Sequence, residues 1–521
     1  MKITYIRINL LTGLLLLTAV SCTKKIDLYP ITSDVETNFY KDEKDCFQGL
    51  TAAYNVLLWD APQNQNAPFQ LISEVLGDKC FTGGANATDL PGLLRMDRGE
   101  IRVDDLAPKA LWYKYYTGIY RCNLILEKIP AASFDSPELR NRYTAEAKFL
   151  RAYYYFDLIR LFGNVPLLKK TLSSSEYDQK QSSPEEVYQF IAQDLSDAIS
   201  VLPSYANMPS TEAGRVTSDA ARALMMRAWL YYTGYYNKQE LPGIPAAKIL
   251  EISETLINSS GHDLLPNFAD VFVNTPPFNN NNKESVFEIQ YSSLAFSGNF
   301  SYREEANGNL STMLWSMRDP AANSIYAAGW SFAPIDAEFY KIFQANDLRR
   351  ATTFLLPQAQ SVSYTLGYQD SKMFPNKWTA LKVNNTSKGN VGLNYPNHFI
   401  AIRFSDVLLM AAELQLLHGG SSAKAQQYFN KVAKRPRPAD YVSPTVTLDA
   451  IYDERELELA LEGVRYWDLM RRGTAYAASK ININRGEPFI SKFNTAAAGL
   501  LPIPDQEIIV SNRTLVQNQG Y

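Results

Sequence analysis

The sequence predicts a mainly α protein, in which a scaffold of helical hairpins carries a large, irregular, loop-rich insertion and there is little β structure. Three observations lead to this prediction. Apolar residues recur every three or four positions over many stretches of roughly 15–20 residues, which is the spacing of a helix face. Short loops join successive stretches, and this favours antiparallel neighbours. Between residues 259 and 400 the helical period fades and turn-forming residues replace it.

The helical stretches form two blocks on either side of the irregular region. Their approximate limits are 41–59, 107–129, 138–162, 183–202, 218–236 and 246–258 in the first block, 335–345 in isolation, and 404–418, 422–434 and 448–472 in the second. Ser183 and Glu186 form a capping box, with Pro184 at the first helical position. No regular 34-residue repeat accompanies these hairpins.

The irregular regions are 60–105, 259–334 and 356–400. Residues 279–282 are four consecutive asparagines, and 286–291 alternate between apolar and polar side chains as a strand does. Because long ordered loops on a rigid scaffold commonly carry binding sites, these regions are where we expect a ligand.

One charged stretch near the C-terminus, residues 451–473, is predicted as a single long helix that ends at Gly473. Apolar groups surround it almost completely, which indicates burial. Glu462 with Arg465, and Asp468 with Arg471 or Arg472, have the spacing of ion pairs on one helix face.

Two interpretations of these acidic residues compete. Glycosidases use two carboxyl groups roughly 5–9 Å apart across the substrate. Alternatively, Glu458 and Glu462 are structural, and arginines neutralise their buried charges. We favour the structural interpretation, because each glutamate has an arginine within one helical turn and no histidine is close in sequence.

Composition and net charge narrow the classes of ligand that this protein binds. The chain has 521 residues and a net charge of −3, so no global basic field attracts nucleic acid. Its 32 Tyr, 25 Phe and 7 Trp favour recognition of a ligand with apolar faces, although a tyrosine-rich core accounts for many of them.

The N-terminus reads as a signal peptide over residues 1–21, with Lys2 and Arg7 before an apolar segment. The small residues Ala19, Val20 and Ser21 precede Cys22, in a pattern similar to the bacterial lipobox. Cys22 is therefore the expected lipidation site; simple secretion with a free Cys22 is the alternative. After this segment, no apolar run of about 20 residues could span a bilayer.

Signals for catalysis and for metal binding are missing from the sequence. Cys46, Cys80 and Cys122 suggest no disulfide framework, and the three histidines make no metal-spaced cluster. We find neither a glycine-rich phosphate loop nor a G-x-S-x-G nucleophile motif. No catalytic residue, metal or cofactor is expected.

Six motifs, in order, resemble the SusD/RagB family of outer-membrane nutrient-binding lipoproteins. They are Cys22 with 26–30, 145–152 through 162–167, 214–217 with 220–221, 402–413, 454–471, and 501–504 through 507 to 517–521. The resemblance implies one domain over 22–521. Its helical scaffold would be about 41–258 and 402–473, with about four tetratricopeptide-like helix pairs, and its ligand region would be about 259–400.

The resemblance also implies a function without chemistry. Such a lipoprotein binds a glycan nutrient and passes it to a SusC-type TonB-dependent outer-membrane barrel, which is the expected partner. A peptide-binding member of the family, an anchored glycoside hydrolase and a pure scaffold are the alternatives. Lys24 and Lys25 stand where acidic residues often direct export, so an outward-facing position is an expectation of the family.

Ligand contacts must be chosen by chemistry, because the family motifs are mostly fold residues. Sugar rings stack on aromatic faces, and polar side chains bind their hydroxyls. The candidates in the irregular regions are Phe81, Asn86, Tyr291, Tyr302, Trp315, Tyr326, Trp330 and Trp378. For each of them, packing of the insertion against the helices is the alternative. Tyr153, Tyr154 and Tyr155 are assigned to the core.

Overall fold

The computed structural model describes residues 39–293, 306–385 and 389–521, and this part contains 17 α-helices. In chain order they are α1 Glu43–Asn55, α2 Phe69–Val75, α3 Pro91–Asp97, α4 Leu106–Lys128, α5 Pro137–Phe162, α6 Pro184–Val201, α7 Ser218–Tyr235, α8 Ala246–Ser259, α9 Leu310–Trp315, α10 Ala337–Lys341, α11 Arg349–Thr353, α12 Phe404–Leu417, α13 Ser422–Lys434, α14 Leu448–Glu458, α15 Arg465–Arg471, α16 Thr474–Ile481 and α17 Asp505–Val510. The predicted signal peptide and Cys22 lie outside the described residues.

The long helices form the scaffold. α4 packs on α5, α5 on α6, α6 on α7 and α7 on α8, while α1 lies against α4 and α5. The second block joins this layer where α12 packs against α7 and α8 and continues to α13 and α14. The predicted mainly α fold of helical hairpins is therefore confirmed, including the block that returns after the insertion.

The described strands are short and occur as four antiparallel pairs. They are β1 Val165–Pro166 with β2 Gln181–Ser182, β3 Ser285–Ile289 with β6 Phe399–Arg403, β4 Phe354–Leu355 with β5 Phe374–Pro375, and β7 Ile483–Asn484 with β8 Ile490–Ser491. The strand predicted over 286–291 is confirmed as β3. Its pairing with β6 joins the first part of the insertion to the strand at its end, because Ser285 lies opposite Arg403.

Helix α5 passes through the centre of the core. Tyr153, Tyr154 and Tyr155 are all buried, as predicted. The Tyr154 hydroxyl donates to the Ala53 carbonyl at 2.7 Å, and the Tyr155 hydroxyl donates to the Leu168 carbonyl at 2.9 Å. A tyrosine is tolerated at these depths because its ring fills apolar space while its hydroxyl finds a partner.

The prediction of one continuous helix over 451–473 is wrong. α14 ends at Glu458, and α15 begins at Arg465. Between them, Leu461 and Gly463 have φ values of +63° and +71°. The Gly463 N–H donates to the Glu74 carboxylate at 2.7 Å, so the break is held by a distant part of the chain. A sequence that is apolar on all sides gives no local sign of such a break.

Two other predicted helices are shorter than expected. The one predicted over 335–345 is only α10, which Asp336 caps by accepting a hydrogen bond from the Glu338 N–H at 3.1 Å. The one predicted over 41–59 ends at Asn55 and continues as a 3-10 turn over Val56–Leu58. Among the described helices, none combines the length and hydropathy needed to cross a membrane.

Candidate functional site

Three loops that are distant in sequence meet at one surface. The Gly84 N–H donates to the Ser331 carbonyl at 2.9 Å, and the Tyr368 N–H donates to the Gly84 carbonyl at 2.8 Å. The Thr365 N–H donates to the Arg318 carbonyl at 3.0 Å. We call this surface the loop platform and define it by Asn86, Asp89, Arg318, Trp330 and Tyr368.

Glycines allow the three loops to approach so closely. A Cβ on Gly84, where φ is +89°, would lie 2.8 Å from the Phe332 ring. A Cβ on Gly367 would lie 2.4 Å from Ser331 Oγ and 2.6 Å from the Gly84 carbonyl oxygen. Heavy atoms do not pack at such distances, so only glycine fits at these two positions.

The polar groups of the loop platform are held in place but stay accessible. Asp89 Oδ2 accepts from the Ala85 N–H at 2.8 Å and pairs with Arg318 Nη2 at 3.3 Å. Asn86 is exposed, and its Oδ1 accepts from the Thr88 N–H at 2.9 Å. The guanidinium of Arg318 is only partly buried and has five N–H donors, so this surface can donate hydrogen bonds to hydroxyl groups.

Aromatic rings accompany these polar groups. Trp330 and Tyr368 are both half-buried. The loops that meet here therefore carry half-buried rings as well as charged and amide side chains. Such a surface suits a ligand with apolar faces and hydroxyl edges.

Two of the eight predicted contact residues, Asn86 and Trp330, belong to the loop platform. Tyr302 lies outside the described residues. The other five are buried, with exposed fractions of 5% or less: Phe81, Tyr291, Trp315, Tyr326 and Trp378. Their burial agrees with the alternative that the insertion packs against the helices.

The buried five are held by neighbouring protein groups. Trp378 lies between Trp315, with ring centroids 6.2 Å apart, and Phe399, at 5.6 Å, and its indole N–H donates to the Leu461 carbonyl at 2.9 Å. The Tyr291 hydroxyl donates to Asp60 Oδ1 at 3.1 Å, and burial raises the pKa of Tyr291.

The other two rings also pack internally. Phe81 packs edge-on against Phe489 at 5.3 Å, and Tyr326 donates to Gln360 Oε1.

Sequence reasoning missed Asp89, Arg318 and Tyr368. Each lies in a loop without a periodic pattern, and the hydrogen bonds that bring the loops together join residues about 250 and 280 positions apart along the chain. No local signal marks such residues, since charged and aromatic side chains are common in surface loops.

The acidic residues considered as a glycosidase pair lie in the interior. Glu458 is fully buried and accepts from Arg349, Arg403 and Arg435. Glu462 accepts from Lys377 Nζ at 2.7 Å and from Arg403 Nε at 2.7 Å. Both carboxylates are thus enclosed and paired, as the structural interpretation expects.

The ionisation of Glu458 reflects this pairing. Burial opposes the charge of Glu458, but Arg435, Arg403 and Arg349 outweigh it and hold the pKa of this carboxyl well below its ordinary range. Burial lowers the pKa of Lys377 to about 8, although Glu462 partly offsets the shift. A carboxyl that stays charged and paired under these conditions has no proton to donate at neutral pH.

The predicted ion pairs of this stretch are partly correct. Asp468 pairs with Arg471 at 2.9 Å, as expected for one helix face. The predicted pair of Glu462 with Arg465 is wrong: Arg465 instead binds Asp78 through two hydrogen bonds of 2.9 Å. Glu462 lies in the turn before α15 and not on a helix, so the helical spacing does not bring it beside Arg465.

Across residues 39–293, 306–385 and 389–521, no three His, Cys, Asp or Glu side chains are grouped so as to hold a metal ion. Cys46, Cys80 and Cys122 are buried free thiols, and burial raises the pKa of each.

The fold and the loop platform together define a tetratricopeptide-like helical scaffold that displays a surface built from loops. The SusD family model matches residues 283–521, and a second model, described as "Starch-binding associating with outer membrane", matches residues 47–230. With the relatives described next, these matches show that the chain belongs to the SusD family.

Relatives cover the chain from end to end. SusD-like protein P2 of Formosa agariphila is 26% identical, over 100% of this chain and 99% of its own length. A solved laminarin-binding SusD-like protein is 30% identical, with a TM-score of 0.79 over 92% of this chain and 100% of its own. Surface glycan-binding protein A from Bacteroides thetaiotaomicron, solved with laminarihexaose, is also 30% identical, with a TM-score of 0.81 over 92% and 100%.

Proposed function

We propose that this chain is a non-catalytic lipoprotein of the outer membrane that binds a glycan nutrient and passes it to a SusC-type TonB-dependent barrel. One observation carries the proposal. Two solved proteins that are 30% identical over 92% of the chain are named for laminarin binding or were solved with laminarihexaose. Similarity over the whole chain, rather than over one motif, supports a shared ligand class.

We assign the ligand to the loop platform. Arg318, Asp89 and Asn86 offer hydrogen-bonding groups in the same set of loops that carries the half-buried rings of Trp330 and Tyr368. We keep the predicted contact Tyr302 in this proposal because its sequence position is in the same insertion as Arg318 and Trp330. A sugar binds such a surface by placing an apolar ring face on an aromatic side chain and its hydroxyls on polar groups.

The location of the protein is part of the proposal. The family model that matches residues 47–230 is described as associating with the outer membrane. Acylation of Cys22 would anchor the chain there, since each buried methylene of an acyl chain contributes about 0.8 kcal/mol. We propose that residues 22–521 act as one domain that faces outward and covers the mouth of the barrel.

The test is calorimetric titration of the full chain, purified in detergent, with laminarihexaose, other neutral hexasaccharides and peptides. Each mixture is then analysed by chromatography. We expect heat of binding with at least one oligosaccharide, and recovery of that oligosaccharide intact. Shortened products would contradict the non-catalytic role, and binding of peptides alone would favour the peptide-binding alternative.

A further inference from the structure

A second aromatic surface, which shares no residue with the loop platform, lies on the helical scaffold. It is a groove of about 640 Å3 between α4, the loop that contains Tyr177, and the C-terminal segment around α17. We call it the α4 groove and define it by Trp112, Tyr113, Tyr116, Tyr120, Tyr177 and Glu507. Its volume falls within the range of roughly 300–1,000 Å3 that is usual for small-molecule sites.

The helical period explains why these rings share one wall. Trp112, Tyr113, Tyr116 and Tyr120 follow one another at steps of one, three and four residues along α4, so they lie on one face of the helix. The opposite face of α4, which carries Leu111 and Cys122, is buried in the core. Trp112 is buried against this core, but Tyr113 and Tyr120 are exposed, so burial in the core does not account for these two rings.

Several of these rings are fixed before any ligand arrives. The ring of Tyr113 stacks on Trp59, with centroids 5.9 Å apart and planes at 16°. Trp112 lies edge-on against Phe162 at 5.1 Å. The Tyr116 hydroxyl donates to the Pro166 carbonyl at 2.9 Å. Rings held in this way lose little conformational entropy on binding.

The far wall of the groove is fixed by hydrogen bonds between the Tyr177 loop and the C-terminal segment. Asn512 Nδ2 donates to both carboxylate oxygens of Asp178 at 2.9 Å. The Thr514 hydroxyl donates to the Gln179 carbonyl at 3.1 Å. Tyr177 is therefore presented by an anchored loop, although its own side chain is 58% exposed.

Polar groups stand among the rings. Lys109 and Glu507 both line the groove, with Gln63 and Gln179. Burial raises the pKa of Glu507, while Lys109 and a hydrogen bond from the Trp112 indole oppose that shift. The groove thus offers an ammonium, a carboxyl group and amides, together with the hydroxyls of exposed tyrosines, in addition to apolar ring faces.

We propose that the α4 groove is a second oligosaccharide-binding site, separate from the loop platform. The side chains of Tyr113, Tyr120 and Tyr177 are 36%, 47% and 58% exposed, and their rings provide stacking faces. The amide and charged groups of the groove provide hydrogen bonds to hydroxyls. A purely apolar partner would leave Lys109 and Glu507 desolvated without new partners, which is costly. A pyranose chain satisfies both kinds of group.

The choice of an oligosaccharide as the ligand rests on the proposed function. The location of the site rests only on the residues that line the α4 groove. A second site would hold one polysaccharide chain at two points, and the second contact would then form at a high effective concentration. The groove would therefore raise the apparent affinity for long glycans more than for short ones.

The experiment is hydroxyl-radical labelling of the full chain, read by mass spectrometry, with laminarihexaose, maltohexaose and cellohexaose at millimolar concentration. We expect at least one of them to protect Tyr113, Tyr120 and Tyr177 from oxidation. The same labelling of Arg318→Ala, a loop-platform variant, should still show this protection. Tyr120→Ala combined with Tyr177→Ala should lose protection at Tyr113, while Tyr441→Ala, a matched change outside the groove, should keep it.

The outcomes separate the two proposals. Protection of the groove without any change at the loop platform would support the second site and contradict the platform as the primary site. Protection at the platform alone, or at neither surface with all three hexasaccharides, would overturn the second site. Loss of groove protection in Arg318→Ala would also overturn it, because the two surfaces would then not be independent.

Discussion

Arg403 and Glu462, 59 residues apart in sequence, form a buried ion pair with two hydrogen bonds: Nε to Oε2 at 2.7 Å and Nη2 to Oε1 at 2.9 Å. Arg403 ends strand β6, and Glu462 lies in the turn between α14 and α15. The same arginine also binds Glu284 and Glu458. This cluster connects both ends of the insertion to the C-terminal helices.

Removal of one partner of this pair should destabilise the fold. In Glu462→Ala, Arg403 and Lys377 keep their buried charges but lose a shared carboxylate. We expect a loss of roughly 3–5 kcal/mol in the free energy of unfolding, measured by urea denaturation. The matched control is Glu251→Ala, whose pair with Lys248 is exposed and should cost about 0.5 kcal/mol or less. Equal stability of Glu462→Ala and wild type would contradict the structural role.

Glu74 predicts a pH dependence of stability. Burial, with a smaller contribution from Asp78, raises its pKa from 4.5 to about 7. Between these values the folded protein keeps the proton that the unfolded chain releases, so this contribution to stability is full below pH 4.5 and is lost as the pH rises through about 7. Its size is at most roughly 3.4 kcal/mol, at 1.36 kcal/mol for each unit of pKa.

The measurement compares wild type with Glu74→Gln by urea denaturation at several pH values. The variant keeps an oxygen that can accept from the Gly463 N–H but does not titrate. We expect the stability of wild type relative to the variant to fall as the pH rises from about 4.5 to 7. A difference that stays constant over this range would show that the pKa of Glu74 is not raised.

The break between α14 and α15 depends on Gly463. Alanine at this position would have to adopt a left-handed φ of +71°, and its Cβ would lie 3.2 Å from Gln70 Cα. Gly419→Ala is the matched control, because Gly419 has a φ of +69° but nothing within 4 Å of the added Cβ. We expect about 1–2 kcal/mol from the backbone conformation in each variant, and a larger loss in Gly463→Ala. Equal unfolding temperatures of the two variants would contradict this, because they would show that Gln70 moves aside with no loss of stability.

The loop platform is tested by affinity. Trp330→Ala and Arg318→Ala should each weaken oligosaccharide binding by about tenfold or more in calorimetry, as expected for an aromatic or arginine contact at a binding hot spot. Arg472→Ala is the control for Arg318→Ala, since its guanidinium is similarly exposed and also pairs with one aspartate. Unchanged affinity in both platform variants would place the ligand elsewhere.

Membrane attachment is tested at Cys22. In a host that processes lipoproteins, the wild type should fractionate with membranes and carry acyl chains on the peptide that begins at Cys22, as mass spectrometry would show. Cys22→Ala should appear in the soluble fraction. Membrane association of Cys22→Ala equal to that of wild type would contradict the lipid anchor.

The sequence by itself determined the features that depend on local periodicity. The apolar spacing of α4 and α5, the capping box at Ser183 and the burial of Tyr154 all follow from interactions within one helix and its core face. The family motifs added the architecture as a whole. These predictions hold because a helix face repeats every few residues and is therefore visible in a short stretch of sequence.

Only the tertiary structure decided the rest. The turn at Gly463 forms because Glu74, 389 residues away, accepts its N–H, and the loop platform forms because Gly84 meets Ser331 and Tyr368. The burial of Trp315 and Trp378 likewise depends on rings that come from separate segments. Such contacts leave no periodic signal, since a hydrogen bond or a buried charge pair depends on where distant backbones meet and not on the residues beside it.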